Sequence, residues 1–374
     1  MKIIIAMDSF KGTLTAPEAC EIIADAIAKS LPDAQLVIKP MADGGEGTAA
    51  AMIKAAGGRW IPKTVMGPLA DMQVDAGFAW FDRDKTALVE MASASGLELL
   101  SEEQMNPLET TTYGTGQLIK AASDYGAHKI LLAVGGSATV DAGLGAATAL
   151  GWKFLDQQGS PISLGGEGLQ QLEKIVEPKD LHLPAVEVLC DVDNPLCGEH
   201  GAAKVYGPQK GATPQMVEQL EKGFLHLATL VQAQLQSDIN NVPGAGAAGG
   251  LAAGALAFMN ARLVSGIETI MAYSNLRSEL RTADWVITGE GSFDHQSLRG
   301  KVVSGIAKIT SQSNTRLAVL AGRIAVPRSQ FQKLKISAAI PCRADDMPLD
   351  YALKNCRALL RSAAQKFAKH YLTE

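Results

Sequence analysis

The sequence predicts an α/β fold: a doubly wound, mostly parallel sheet with a second α/β domain inserted into it. Three observations carry this. Short apolar runs alternate with longer amphipathic ones along the chain, the signature of strands and helices in turn. Most of the short runs are apolar throughout rather than at every second position, as strands covered on both faces are. The length of 374 residues, at roughly 100–200 per domain, makes two domains or one large one.

The elements follow in order. The apolar run from Ile3 to Met7 is too short for a signal peptide and suits a buried strand over 2–7. A helix is expected over 16–30, a strand over 35–40 and a helix over 47–56. The stretch 60–90 reads as short alternating strands separated by turn signals at Met66-Gly67-Pro68 and from Asp82 to Asp84. Then come a helix over 115–125, a strand over 129–134 and a helix over 142–150. A hairpin-like Gln158-Gly159 lies within 152–161, and a strand over 186–190 runs into a loop up to 206. Helices are expected over 214–235, 247–259, 261–275, 300–310 and 349–369, with strands over 285–288, 317–321 and 338–341. The breaks in the alternation assign 61–111 and 151–242 to the inserted domain. They leave 1–60, 112–150 and 243–374 as the first, discontinuous one. No repeat and no Pro/Ser-rich linker marks the borders.

Composition narrows the function. A hydrophobic fraction of 47% and a charged fraction of 20% exclude a mostly disordered chain. Lys plus Arg number 34 against 39 Asp plus Glu, a net charge of −5, with no basic block, so no nucleic-acid or anionic-membrane partner is expected. Aromatics at 5% offer no base-stacking platform. The 5 cysteines form no CxxC and the 6 histidines no HExxH, which argues against a disulfide framework or a zinc site. The longest bland run, 247–259, falls short of the ~18–20 residues of a membrane span. The expectation is a soluble cytoplasmic protein.

The chemistry lies in where polar residues fall. Nearly every apolar strand ends in glycine and ionisable residues: Asp8-Ser9-Phe10-Lys11-Gly12, Asp43-Gly44-Gly45-Glu46-Gly47, Gly135-Gly136-Ser137-Ala138-Thr139-Val140-Asp141, Asp191-Val192-Asp193-Asn194, Gly289-Glu290-Gly291-Ser292-Phe293-Asp294 and Gly322-Arg323. Ligands of open α/β sheets bind beyond the carboxyl ends of the strands, so these clusters are expected to converge on one cleft. Glycine-rich turns entering helices suit phosphates. Mg²⁺ between acids and phosphate oxygens removes their repulsion, lysines and arginines take up charge on a transferred phosphoryl group, and a carboxylate takes a substrate hydroxyl's proton. The set fits phosphoryl transfer better than hydride transfer.

Each residue has a plainer reading. Asp8 or Ser9 can cap a helix, as can Asp43, Glu46, Ser137 and Thr139, and Asp141 can serve as a first-turn acid. Asp191, Asp193 and Asn194 precede Pro195, where an Asx turn is ordinary, and Asp294 carries the same alternatives. Lys301 stands between anion contact and solvated surface charge. The string from Gly244 to Gly249 matches GxGxxG by letter, but it follows Asn240-Asn241-Val242-Pro243 rather than a strand, so the dinucleotide context is missing. Arg299-Gly300-Lys301-Val302 lacks the upstream glycine and the Ser/Thr of a P-loop. Cys190 and Cys197 read as core and loop residues.

Taken together, the strings running from Asp8 to Ala16, from Ala42 to Thr48, from Gly114 to Gly116, from Gly135 to Thr139, from Asp191 to Leu196, from Tyr206 to Ala212, from Pro243 to Gly250 and from Thr288 to Asp294, through Gly300 and Lys301, resemble the bacterial type-1 glycerate kinase family. The resemblance runs from the first strand to about Arg323. It implies a Rossmann- or flavodoxin-like domain with a second α/β domain and an active-site cleft between them. It also implies ATP-dependent phosphorylation of D-glycerate, with 2-phosphoglycerate as the product of this subtype. One departure is Asp141-Ala142-Gly143, where the family pattern reads Asp-Gly-Gly.

On chemical grounds Asp191, with Asp294 as its rival, is expected to orient or deprotonate the glycerate hydroxyl. Lys11, Lys210 and Lys301 are expected to meet phosphate charge. Asp8, Asp43, Glu46 and Glu290 are expected near Mg²⁺. Ser9, Gly44, Gly45, Gly135, Gly136, Ser137, Asn194, Gly289 and Gly291 are expected to contact ligand, and Arg323 to clamp the glycerate carboxylate. The partners are D-glycerate and ATP, with a homodimer as a further option. The rival classes are another hydroxy-acid kinase, transfer to the 3-hydroxyl, a nicotinamide oxidoreductase, and a non-catalytic binding protein.

Overall fold

The computed structural model describes residues 1–295, 297–298 and 301–372; Arg299 and Gly300, on which a motif and a helix start are expected, lie outside the described residues. Two large sheets contain eleven strands: β1 (Lys2–Met7), β2 (Gln35–Ile38), β3 (Arg59–Met66), β4 (Gln73–Phe81), β5 (Thr86–Glu90), β6 (Lys129–Ala133), β7 (Ala185–Leu189), β8 (Arg262–Val264), β9 (Trp285–Gly289), β10 (Arg316–Ala321) and β11 (Ile336–Pro341). The chain forms two compact units. The first holds Met1–Asp43, Ala50–Gly57 and Ser265–Glu374, and the second Gly44–Ala49 and Gly58–Val264.

The first unit is a five-stranded sheet in the order β11-β10-β9-β1-β2, parallel throughout. Numbered within the unit this is the 2-1-3-4-5 order of flavodoxin-like folds. Ile3, Ile4, Ile5, Ala6 and Met7 of β1 are wholly buried, which explains the unbroken apolar run. Helix α1 (Ala16–Ser30) begins at a capping box: Thr15 accepts from the Glu18 N–H, and the Glu18 side chain accepts from the Thr15 N–H. It buries Ala19, Ile22, Ile23, Ala26 and Ile27 against the sheet.

The second unit is a six-stranded sheet in the order β8-β7-β6-β5-β4-β3. Strands β5 to β8 are parallel, and β3 and β4 join them as an antiparallel meander, as the turn signals of 60–90 predicted. Trp80, Trp152, Phe154 and Phe258 lie in its core.

The α/β class holds, and several element boundaries move. Residues 112–150 and 243–264 fall in the second unit rather than the first, because β6 is hydrogen-bonded between β5 and β7, and β8 extends the same sheet. The single helix expected over 261–275 is a strand, Arg262–Val264, followed by a helix, Gly266–Tyr273, capped by Ser265. The helix expected from 247 starts only at Leu251, since Ala248, Gly249 and Gly250 all take positive φ (54°, 62° and 84°), which a right-handed helix does not accept. The helix expected over 349–369 is interrupted at Asn355.

Candidate functional site

In the first unit the site lies at the sheet's switch point. Helical crossovers leave β1 and β9 in opposite directions in this strand order, which opens a crevice at their carboxyl ends. Asp8 follows β1, and Gly289 and Glu290 end and follow β9. The Asp8 N–H donates to the Gly289 carbonyl (2.9 Å), and the Ser9 N–H donates to Asp8 Oδ1 (2.7 Å). A Cβ on Gly289 would stand 1.7 Å from the Leu320 carbonyl oxygen, so only glycine fits there.

Burial pushes the Asp8 carboxyl up to about 7, and the charges of Asp43 and Glu290 push the same way against the Ser9 N–H and Lys301. Burial also raises Glu290, with Asp294 and Asp43 adding to it and Ser297 and Lys301 opposing. Asp8, Asp43, Glu290, Asp294 and Lys301 therefore share one electrostatic field. Asp294 accepts from the Ser292 hydroxyl (3.2 Å), and its N–H donates to Ser297 Oγ (3.1 Å).

Lys11 is exposed at the tip of a turn whose ends, Phe10 and Leu14, exchange backbone hydrogen bonds (2.8 and 3.0 Å). Arg323 is exposed in a short strand paired with Ser292–Phe293, and its N–H donates to the Gly291 carbonyl (3.1 Å).

In the second unit the glycine loops pack backbone to backbone. The Gly135 N–H donates to the Gly44 carbonyl (3.1 Å), and a Cβ on Gly135 would stand 2.5 Å from Gly45 Cα. Glu46 is exposed beside them. Ser137 follows on the same loop, 9% exposed. Its hydroxyl accepts from Lys210 Nζ (2.6 Å), which also donates to the Thr139 carbonyl (2.8 Å).

The lysine expected at phosphate charge is thus one of the largest fully buried side chains. Burial lowers its pKa to about 7, and the Asp141 charge partly offsets this. Asp141 is itself wholly buried. It accepts from the Thr112 N–H and hydroxyl (2.8 Å each), the Gly143 N–H (3.0 Å) and the Gly145 N–H (3.3 Å). Burial pushes its carboxyl up while these donors pull it back. Asp141 therefore organises the interior of the loop, and Ala142 next to it takes φ 52°, keeping the left-handed turn that a glycine adopts more readily.

Asp191 follows β7 and is part-buried. Asn194 spends both ends of its amide internally: Nδ2 donates to the His200 carbonyl (2.8 Å) and Oδ1 accepts from the Tyr206 hydroxyl (2.7 Å). The glycines of 244–249 serve close packing: a Cβ on Gly246 would meet the Pro195 carbonyl at 2.2 Å, and one on Gly249 the Thr139 carbonyl at 1.9 Å.

One residue escaped the sequence reading. Glu90, the last residue of β5, accepts from the Ala49 N–H (3.0 Å) at the start of helix α2 (Thr48–Ala56). Burial pushes its carboxyl up to about 6 against bonds from the Ala49, Thr48 and Gly47 amides, with Glu46 adding to the rise. Its only trace in the sequence is an acid closing an apolar run.

The acids of the first unit fit Mg²⁺ by their chemistry. They are hard oxygen donors in mutual repulsion, and Glu290 Oε1 is buried with no hydrogen-bond partner among the described residues. Among the described residues no three His, Cys, Asp or Glu side chains form a ready-made metal cluster. No helix among the described residues is long and apolar enough to cross a membrane.

Comparison with known proteins agrees along the whole chain. The sequence profile described as the glycerate kinase family matches residues 3–372. The chain is 41% identical over 373 residues to the glycerate 2-kinase of Escherichia coli K12, covering 97% of each chain. It is 42% identical over 370 residues to a glycerate kinase of Halalkalibacterium halodurans, covering 98% of this chain and 97% of that one. A crystal structure of a glycerate kinase 2 candidate from Salmonella typhimurium LT2 superposes with a TM-score of 0.85 at 40% identity, covering 99% of this chain and 97% of the other. The relatives named above are glycerate kinases, and the glycine string that resembled a nicotinamide fingerprint is occupied with packing. The chain belongs to the glycerate kinase family.

Proposed function

We propose that this protein phosphorylates D-glycerate with ATP, on the 2-hydroxyl, giving 2-phosphoglycerate and ADP. The observation that carries the reading is the acid set at the switch point, Asp8, Glu290, Asp43 and Asp294 beside Lys301, in a member of the glycerate kinase family. The name of the Escherichia coli relative, glycerate 2-kinase, supports the position of transfer.

In this reading Asp191 takes the proton of the glycerate hydroxyl as its oxygen attacks the γ-phosphorus, and the bond to ADP breaks; Asp294 is the rival for that role. Lys11 and Lys301 meet the phosphate charge, and Arg323 clamps the glycerate carboxylate through its planar fork. Ser9 and the turns around Gly44, Gly45, Gly135, Gly136, Gly289 and Gly291 bring backbone N–H groups to ligand oxygens, while Asn194 shapes the loop after Asp191. Asp8, Asp43, Glu46 and Glu290 would hold Mg²⁺, directly or through water, and the ion would neutralise charge on the phosphates. The 5 free cysteines support a reducing compartment, and the reading takes the enzyme to be cytoplasmic.

The test is MgATP and D-glycerate with purified enzyme, coupled to enolase alone and followed as phosphoenolpyruvate absorbance. A signal is the expected result. A signal only on adding phosphoglycerate mutase would move the transfer to the 3-hydroxyl, and absence of ADP would remove glycerate as substrate. Asp191→Asn is expected to reduce kcat at least a hundredfold; if Asp191→Asn and Asp294→Asn both keep near-normal turnover, neither is the base.

A further inference from the structure

Lys210 lies beneath the 135–139 loop, 2% exposed, and reaches two of its atoms: Ser137 Oγ at 2.6 Å and the Thr139 carbonyl at 2.8 Å. The loop backbone is already pinned from the other side. Leu97 N–H donates to the Gly136 carbonyl (2.8 Å), and Ala138 N–H donates to the Ser95 carbonyl (2.9 Å). What remains free is the rotation of the Ser137 hydroxyl. An ammonium donates and does not accept, so with Lys210 charged the Ser137 oxygen is the acceptor of that pair. The hydroxyl proton is then left over, and among the described residues it has no acceptor. Ser137 keeps a small exposed surface while Lys210 keeps almost none, so the proton's free side is the one away from the lysine.

We propose that Lys210 is a positioning residue: from inside the unit it fixes the Ser137 oxygen as an acceptor and thereby presents the Ser137 hydroxyl proton to an oxyanion of the substrates, either the glycerate carboxylate or an ATP phosphate. The inference deepens the function proposed above and rests on it. It changes the role expected of this lysine, from contact with the phosphate to control of a neighbour that makes the contact. Burial lowers the Lys210 pKa to about 7 and the nearby Asp141 charge partly offsets this; the protonated lysine is the state the arrangement requires.

Steady-state kinetics of wild type, Ser137→Ala, Ser137→Thr, Lys210→Met and the Ser137→Ala/Lys210→Met double variant test it, with KM measured separately for D-glycerate and ATP and with thermal melts alongside. Losing a hydrogen bond to a charged group is expected to raise one KM about tenfold in Ser137→Ala, with the other KM unmoved and the melting midpoint lowered, because the buried Lys210 ammonium loses one acceptor. A change in the glycerate KM identifies the carboxylate, and a change in the ATP KM identifies a phosphate. Ser137→Thr, which keeps the hydroxyl, is expected to restore the value. Lys210→Met is expected to raise the same KM, and the double variant to be no worse than the worse single one. If Lys210→Met does not fold, Lys210→Gln, which keeps amide donors, replaces it with a smaller expected rise in the same KM. Ser137→Ala with both KM values within twofold of wild type, or a double variant whose effect is the product of the singles, overturns the proposal. A wild-type enzyme without glycerate-dependent turnover overturns the functional reading first, and the inference with it.

Discussion

Replacing Asp141 by asparagine tests whether the interior of the 135–145 segment is held by one carboxylate. The amide would turn its nitrogen to the oxygen position with fewer donors, that of Oδ1, which meets only the Gly143 N–H. One buried N–H then loses its acceptor, at about 2 kcal/mol. The bonds from the Thr112 N–H, the Thr112 hydroxyl and the Gly145 N–H survive but lose their charge assistance, roughly 0.5 kcal/mol each. The sum is a loss of about 3–4 kcal/mol.

Lys210→Met should cost a similar amount, because it orphans the Thr139 carbonyl and leaves the Asp141 charge without the lysine's compensation. The double variant should cost less than the two singles together by about 1–2 kcal/mol, since each single change strands the other's buried charge. Urea unfolding read by tryptophan fluorescence in a Trp285→Phe background follows the second unit alone, because Trp60, Trp80 and Trp152 all lie in it. An Asp141→Asn variant within about 1 kcal/mol of its parent, or a cycle additive to within about 0.5 kcal/mol, would refute the reasoning.

Three further outcomes are expected. Gly289→Ala places a methyl 1.7 Å from the Leu320 oxygen and should destabilise the first unit by about 3 kcal/mol or more, seen as a lowered thermal midpoint. Glu90 has a carboxyl raised from 4.5 to about 6, so the stability tied to its protonated form is present below pH ~4.5 and lost as pH rises through ~6. Glu90→Gln should therefore gain on wild type by about 2 kcal/mol between pH 4.5 and 7.5, and a difference that does not change with pH would contradict the burial argument. Chelation with EDTA should abolish turnover and Mg²⁺ restore it, with far-UV circular dichroism unchanged, because every strand of both sheets is paired by backbone hydrogen bonds alone.

Where local chemistry decides, the sequence was readable. The unbroken apolar run of β1 and the Thr15–Glu18 capping box need nothing beyond their neighbours in the chain. The strand ends were readable for the same reason, and Asp8, Glu290, Asp294 and Lys301 do fall into one field. What escaped was decided at long range. Arg262–Val264 has helix-like neighbours, but pairing with β7 makes it a strand. The order of elements does not tell which strand lies beside β6, and so does not reveal that 112–150 belongs to the second unit. Nothing near Lys210 in the chain signals its burial, since lysines are almost never fully buried; its acceptors at Ser137 and Thr139 lie some seventy residues earlier in the chain. Glu90 gave no glycine or polar cluster to draw the eye.

The discontinuity of the first unit has a consequence for synthesis. Its inner strand β1 is synthesised before the sheet of the second unit, and its neighbour β2 follows soon after. Its other neighbour is β9, and the Lys2 N–H finds its acceptor on Asp284, 282 positions further on (2.7 Å). At roughly 5–20 residues per second, the interval is on the order of 14–56 s. For that time a strand of Ile3, Ile4 and Ile5 has one open edge, while the second unit is completed in between. Nascent chains stalled before residue 285 should therefore be bound by chaperones through their first forty residues and released once β9 has emerged. A strand made early is thus closed in late.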